Sequence, residues 1–142
     1  MLSFKVFNYL KQKNAWFEDV DIDCERYREI LKELNLDTSS DFGIFYTHAE
    51  ENPGGFYSKN FELWQICWMY ENSDYRVINN SLRRDLSLND NYYVISEFEG
   101  ERAYFYNKEE NSVEIIGYSE NGVDVIEKWE SFNDFLEWYF GV

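Results

Sequence analysis

Three short segments rich in aromatic and β-branched residues, YYVISEF (92–98), RAYFYN (102–107) and VEIIGY (113–118), follow one another with only brief polar turns such as NKEEN and SENG beside them. A parallel pair of strands needs a crossover of about a dozen residues or more, so turns this short admit only antiparallel neighbours. The C-terminal half is therefore predicted to be an antiparallel meander. In the first segment Val94, Ser96 and Phe98 fall on one face and Tyr93, Ile95 and Glu97 on the other. Both faces carry some apolar load, which predicts a sheet covered on one side and partly exposed on the other.

The rest of the chain reads as helices packed on that sheet. Residues 2–12 place Val6, Phe7 and Leu10 on one side of a first helix. Tyr27, Ile30, Leu31 and Leu34 form the apolar stripe of a second helix, with Asp23 positioned to cap its free amides. Phe42, Phe45, Tyr46 and Ala49 repeat the pattern, with Thr38 and Asp41 at capping-box spacing. NPGG at 52–55 is the strongest break in the chain and is expected to end that third helix. FELWQICWMY (61–70) is apolar enough to be buried, though its periodicity leaves strand and helix open. At the C-terminus Ser131 and Asp134 have capping-box spacing, and Phe132, Phe135, Leu136, Tyr139 and Phe140 make one stripe. Helices, then strands, then a closing helix predict an α+β domain, with N-terminal helices and a C-terminal helix packed on an antiparallel sheet.

Composition agrees with one folded domain over residues 1–142. Aromatics make up 20% of the residues, too much core-forming material for a disordered acidic chain. The formal charge is −15, which repels phosphate backbones, so direct nucleic-acid binding is not expected. The same charge serves solubility or steers the chain toward a basic protein surface. Cys24 and Cys67 lack any paired spacing and read as reduced core thiols. The first residues lack the unbroken apolar centre of a signal peptide, and no run approaches the roughly 20 apolar residues of a membrane span. A cytoplasmic protein is expected, with no membrane partner.

Little catalytic equipment is visible. His48 is the single histidine, and it lies beside the apolar face of the third helix, where an ordinary boundary role accounts for it. Gly54 and Gly55 lack the following Lys of a phosphate-binding loop and read as a turn. Carboxylate catalysis would need two close acids in a cleft, which the sequence does not single out. DVDIDCE (19–25) places Asp19, Asp21 and Asp23 in the first ligand slots of a calcium loop, but the slots for glycine and the last glutamate hold Cys24 and Ile30. The metal reading fails, and helix capping with favourable dipole interaction explains Asp21 and Asp23. No metal, cofactor or enzymatic activity is expected.

Taken in order, CERYREILKELNLDTSSDFGIFY, NPGGFYSKNFELWQI, NYYVISEFEGERAYFYNKEENSVEII and KWESFNDFLEWYF resemble the SUKH superfamily. These are domains of the yeast cell-wall regulator type, widely used by bacteria as immunity proteins against polymorphic toxins. Residues 24–142 carry the resemblance, with 1–23 as an N-terminal helix and acidic segment. The family's helix, turn, acidic residue, aromatic and second helix correspond to Leu34, Asn35, Ser39, Asp41, Phe42 and Phe45, although Asn35 and Ser39 stand where the family keeps Gly and Pro. Its small-residue turn with an aromatic fits Gly54, Gly55 and Phe56, and its closing motif fits Trp129, Ser131, Phe132 and Leu136. The resemblance implies a binding domain without catalysis or cofactor that occludes a cognate toxin with a basic cleft, such as a nuclease. The same domain type also serves as an intracellular regulatory adaptor.

Two patches are candidates for the partner surface. Glu97, Glu99 and Glu101 alternate along one strand face if the strand runs through Gly100, with Tyr104 and Tyr106 beside them on the next segment. A solvated strand face is the alternative. The second patch is Glu18, Asp19, Asp21 and Asp23 with Trp16, which is either an exposed anchor or packed under the first helix. Monomer and homodimer are both compatible with this surface.

Overall fold

The computed structural model describes residues 1–51 and 54–142. Among these, six helices and two antiparallel sheets make an α+β fold. Helices α1 (Phe4–Gln12), α2 (Ile22–Glu33) and α3 (Asp41–His48) come first, followed by the short strands β1 (Gly55–Phe56) and β2 (Leu63–Trp64) and helices α4 (Ile66–Asn72) and α5 (Tyr75–Asp85). The meander is β3 (Tyr92–Val94), β4 (Arg102–Asn107), β5 (Ser112–Ser119) and β6 (Gly122–Trp129), and α6 (Phe132–Phe140) closes the chain. Strands β3 to β6 pair in sequence order, each antiparallel to the next.

The helical stripes pack as their spacing predicts. Tyr27, Ile30, Leu31 and Leu34 are buried, as are Phe132, Phe135, Leu136, Tyr139 and Phe140. Ser131 caps α6 by accepting the Asp134 amide at 3.0 Å. Elsewhere the caps shift. Ser40 accepts the Gly43 amide at 3.0 Å, so it caps α3 in place of the Thr38 and Asp41 box. Asp21, ahead of Asp23, occupies the start of α2, but its carboxylate accepts the Glu18 amide at 3.0 Å outside the helix. Asp23 lies inside the first turn, where its negative charge interacts favourably with the positive end of the helix dipole.

The apolar run at 61–70 is both strand and helix. Leu63 and Trp64 pair with β1, and Gln65 then begins α4. Gln65 is fully buried and fully satisfied: its amide donates to Tyr46 O at 3.0 Å and Ala49 O at 2.7 Å, and its carbonyl accepts the Cys67 amide at 2.8 Å. One side chain thus ties the end of α3 to the start of α4. The expected break at NPGG falls partly on Asn52 and Pro53, outside the described residues, and α3 has already ended at His48.

The sheet is covered more completely than alternation predicts, because Tyr93, Val94, Ile95 and Ser96 are all buried. On one face Tyr106 stacks on Phe42 at 3.8 Å and meets Phe132 edge-on at 5.6 Å, while Tyr104 meets Phe135 at 5.1 Å. Helix α5 closes the β3 edge: Tyr75 donates to Val94 O at 2.7 Å and Asn79 accepts the Val94 amide at 2.9 Å. These bonds satisfy backbone groups that an open edge would leave free. The opposite edge, β6, stays exposed, with a register shift at Ile115/Ile116 that leaves Ile126 as an extra residue. Such a bulge twists an edge away from further pairing. Among the described residues no helix is long and apolar enough to cross a membrane.

Candidate functional site

The two predicted acidic patches meet different fates. In the first, β3 stops at Val94 and the strand does not continue through Gly100. Glu99 and Arg102 instead exchange backbone hydrogen bonds at 3.0 and 3.2 Å around a two-residue turn at Gly100 and Glu101. Both turn residues have positive φ, 60° and 63°, a conformation that suits a hairpin and strains a glutamate. Glu101 therefore leaves the face shared by Glu97 and Glu99. Tyr104 and Tyr106 are corrected as well. At 2% and 3% exposure they are core residues under α6 and α3, out of reach of any partner.

What joins Glu97 and Glu99 comes from elsewhere in the chain. Leu63 and Ser96 form an antiparallel bridge, with the Trp64 amide donating to Ile95 O at 2.8 Å. In that register Glu62 stands opposite Glu97, like charge against like charge. Gly55 allows the approach, since a Cβ there would come within 2.3 Å of the Glu62 carboxylate. Tyr57, largely exposed, shares this corner, and its hydroxyl is held above the usual phenol range by burial, then by a hydrogen bond to Glu62 and the charges of Glu62 and Glu97. Glu97 is raised above the usual carboxylate range by burial first, then by a hydrogen bond with Glu99 and the charges of Glu99 and Glu62. Phe98, between Glu97 and Glu99 in the chain, instead meets Tyr118 edge-on at 6.3 Å, and the Tyr118 hydroxyl donates to Asp85 O at 3.4 Å at the end of α5. Among the described residues none of Glu62, Glu97 and Glu99 has an ion-pair partner. The patch is an acidic surface bordered by Tyr57.

The second patch is compensated from within. Lys11 pairs with Glu18 at 2.9 Å, Arg28 pairs with Asp19, and Arg26 pairs with Asp23 at 2.7 Å. Asp21 is engaged with the Glu18 amide. Trp16 is half-buried, edge-on to Phe7 of α1 at 4.9 Å and stacked on His48 at 4.7 Å, so it packs beneath the first helix. Its neighbour His48 lies 3.6 Å from the Cys24 sulfur, which raises the question of a Cys/His nucleophile. The hydrogen bonds argue against one. His48 Nδ1 sits 2.7 Å from Phe17 O, an acceptor only, so Nδ1 carries the proton and cannot take one from the thiol. Cys24 is buried and its thiol is raised above its usual range, chiefly by burial, with Arg28 opposing and Asp21, Asp19 and Asp23 adding. Cys67 is likewise a free, buried thiol.

Among the described residues no group of three or more His, Cys, Asp and Glu side chains is arranged to hold a metal. No local sequence pattern singles out Glu62 or Tyr57. Glu62 reads as the polar start of an apolar run, and 35 residues separate it from Glu97, so only the bridge at Leu63 and Ser96 reveals the cluster. No protein-family model matches the chain, and no curated protein matches it.

Proposed function

We propose that this chain is a SUKH-like immunity protein that acts inside the cell and neutralises a cognate toxin by binding it. The observation that carries the reading is the cluster of Glu62, Glu97 and Glu99 without ion-pair partners among the described residues, bordered by Tyr57. Three carboxylates that repel one another gain when a partner inserts Lys or Arg among them, and the formal charge of −15 draws such a partner in. Tyr57 at the margin supplies the apolar contact that fixes orientation. The α+β fold and the positions of Gly55, Phe56, Phe132 and Leu136 in its core agree with the resemblance on which the reading rests.

Co-expression with the product of the adjacent upstream gene tests the proposal. Rescue of growth together with a recoverable complex is the expected result; a harmless, non-binding neighbour counts against it. In a recovered complex, Glu62→Lys, Glu97→Lys and Glu99→Lys combined should weaken binding about 10- to 100-fold, mainly through slower association and most strongly at low salt. The fold should survive the substitution, because none of the three side chains is buried and the parent cluster already holds like charges together. Unchanged affinity would remove this patch from the interface.

A further inference from the structure

A cleft of about 360 Å³ lies between α5, the end of α2 and the turn after β4. Arg76, Arg83 and Lys108 border it, three cations converging in a chain where acids outnumber bases 28 to 13. Arg76 and Arg83 stand seven residues apart on α5, two turns along one helix face. Lys108 reaches in from the turn after β4. Tyr93 packs between them, with the Arg83 guanidinium 4.7 Å and the Lys108 ammonium 5.6 Å from its ring centre.

What sets these cations apart is the nature of their partners. Arg76 donates to Glu33 O at 3.0 Å; Arg83 donates to Tyr92 O at 2.7 Å, Asp90 O at 3.0 Å and the Asn80 side chain at 3.3 Å; Lys108 donates to Asn35 O at 3.0 Å and the Tyr93 hydroxyl at 3.3 Å. Every acceptor is neutral. Among the described residues none of the three has a carboxylate at ion-pair distance. Carbonyl acceptors hold the cationic heads in place without cancelling their charge. The donor inventory is also not exhausted, since Arg76 has given one of its five N–H groups and Arg83 three. Two acids, Glu33 and Asp90, border the same cleft, and Glu33 already accepts the Tyr70 hydroxyl, so a cationic excess remains.

We propose that this cleft binds a small phosphoryl-bearing anion, held by Arg76, Arg83 and Lys108. Guanidinium groups match the paired oxygens of a phosphoryl group, and the volume falls in the range of small-molecule sites. The surrounding negative charge excludes long polyanions, but beyond about 8 Å it is screened at physiological salt, which leaves a small anion to the local cations.

The test is calorimetric titration of the full chain with pyrophosphate, inorganic phosphate and citrate, with sodium chloride balancing ionic strength in every arm. Saturable one-to-one binding of pyrophosphate is expected. Arg76→Gln and Lys108→Met should each weaken it about tenfold, the loss of one charge-assisted contact. Arg83 also clamps the 90–92 turn, so the test rests on the other two positions. The proposal is overturned by absence of saturable heat up to about 10 mM, by a response equal to that of chloride alone, or by variants that bind like the parent. Citrate binding as tightly as pyrophosphate would overturn the phosphoryl assignment.

Discussion

Replacing Tyr139 with Phe removes a single oxygen, yet that oxygen organises the segment carrying Tyr57 and Glu62. The hydroxyl accepts the Leu63 amide at 3.1 Å and the Ser58 amide at 3.3 Å, and its one proton faces Phe61 O at 2.7 Å and Phe56 O at 2.8 Å. Leu63, Phe56 and Tyr139 are all fully buried, so water cannot replace the lost partner there, whereas Ser58 is exposed and can be rehydrated. An orphaned buried amide costs roughly 1–3 kcal/mol and each lost hydrogen bond about 1 kcal/mol net, which places Tyr139→Phe near 3 kcal/mol. For a chain of this length that corresponds to a fall in Tm of about 10 °C. Urea melts followed by circular dichroism would read the change as a lower midpoint at constant slope. Hydrogen exchange should accelerate at the Leu63 amide. The exposed Tyr118, whose hydroxyl makes a single long bond of 3.4 Å to Asp85 O, is the control, with Tyr118→Phe leaving stability within about 0.5 kcal/mol. A Tyr139→Phe loss no larger than the control's would refute the reasoning that this hydroxyl holds the 56–63 segment.

Two further outcomes follow from the same geometry. Glu97 has a folded-state pKa raised above its unfolded value, so the folded chain binds its proton more tightly, and the stability this lends is full below the unfolded value and lost as pH rises through the folded one. Glu97→Gln, which cannot ionise, should therefore match the parent near pH 4 and exceed it in stability by pH 7, with added salt narrowing the gap; chemical denaturation across that range measures it. Ser131→Ala removes the cap on α6 and should cost about 1 kcal/mol in a thermal melt, with Ser131→Asp restoring most of it.

What the sequence by itself determined is local. The stripes of α2 and α6 and the Ser131 cap depend on contacts within a few residues, and turns of two to four residues leave strands no choice but to run antiparallel. Tertiary structure decided the rest. Helix α5 places Tyr75, Ile78, Asn79 and Leu82 at helical spacing, but Asn79 is buried only because the Val94 amide waits for it, a pairing no local pattern announces. Strand β6 is exposed along nearly its whole length and its alternation is broken at Ile126, so burial wrote no period into GVDVIEKW. Glu97 and Glu99 could be read as a charged pair, but Glu62 joins them only through a bridge between distant segments, and Tyr104 and Tyr106 leave the surface because two helices close over that face of the sheet. Charge and periodicity are properties of neighbours along the chain; a site is a property of neighbours in space, and the packing that brings Glu62 to Glu97 and Arg76 toward Lys108 sums many weak contacts that no short segment contains.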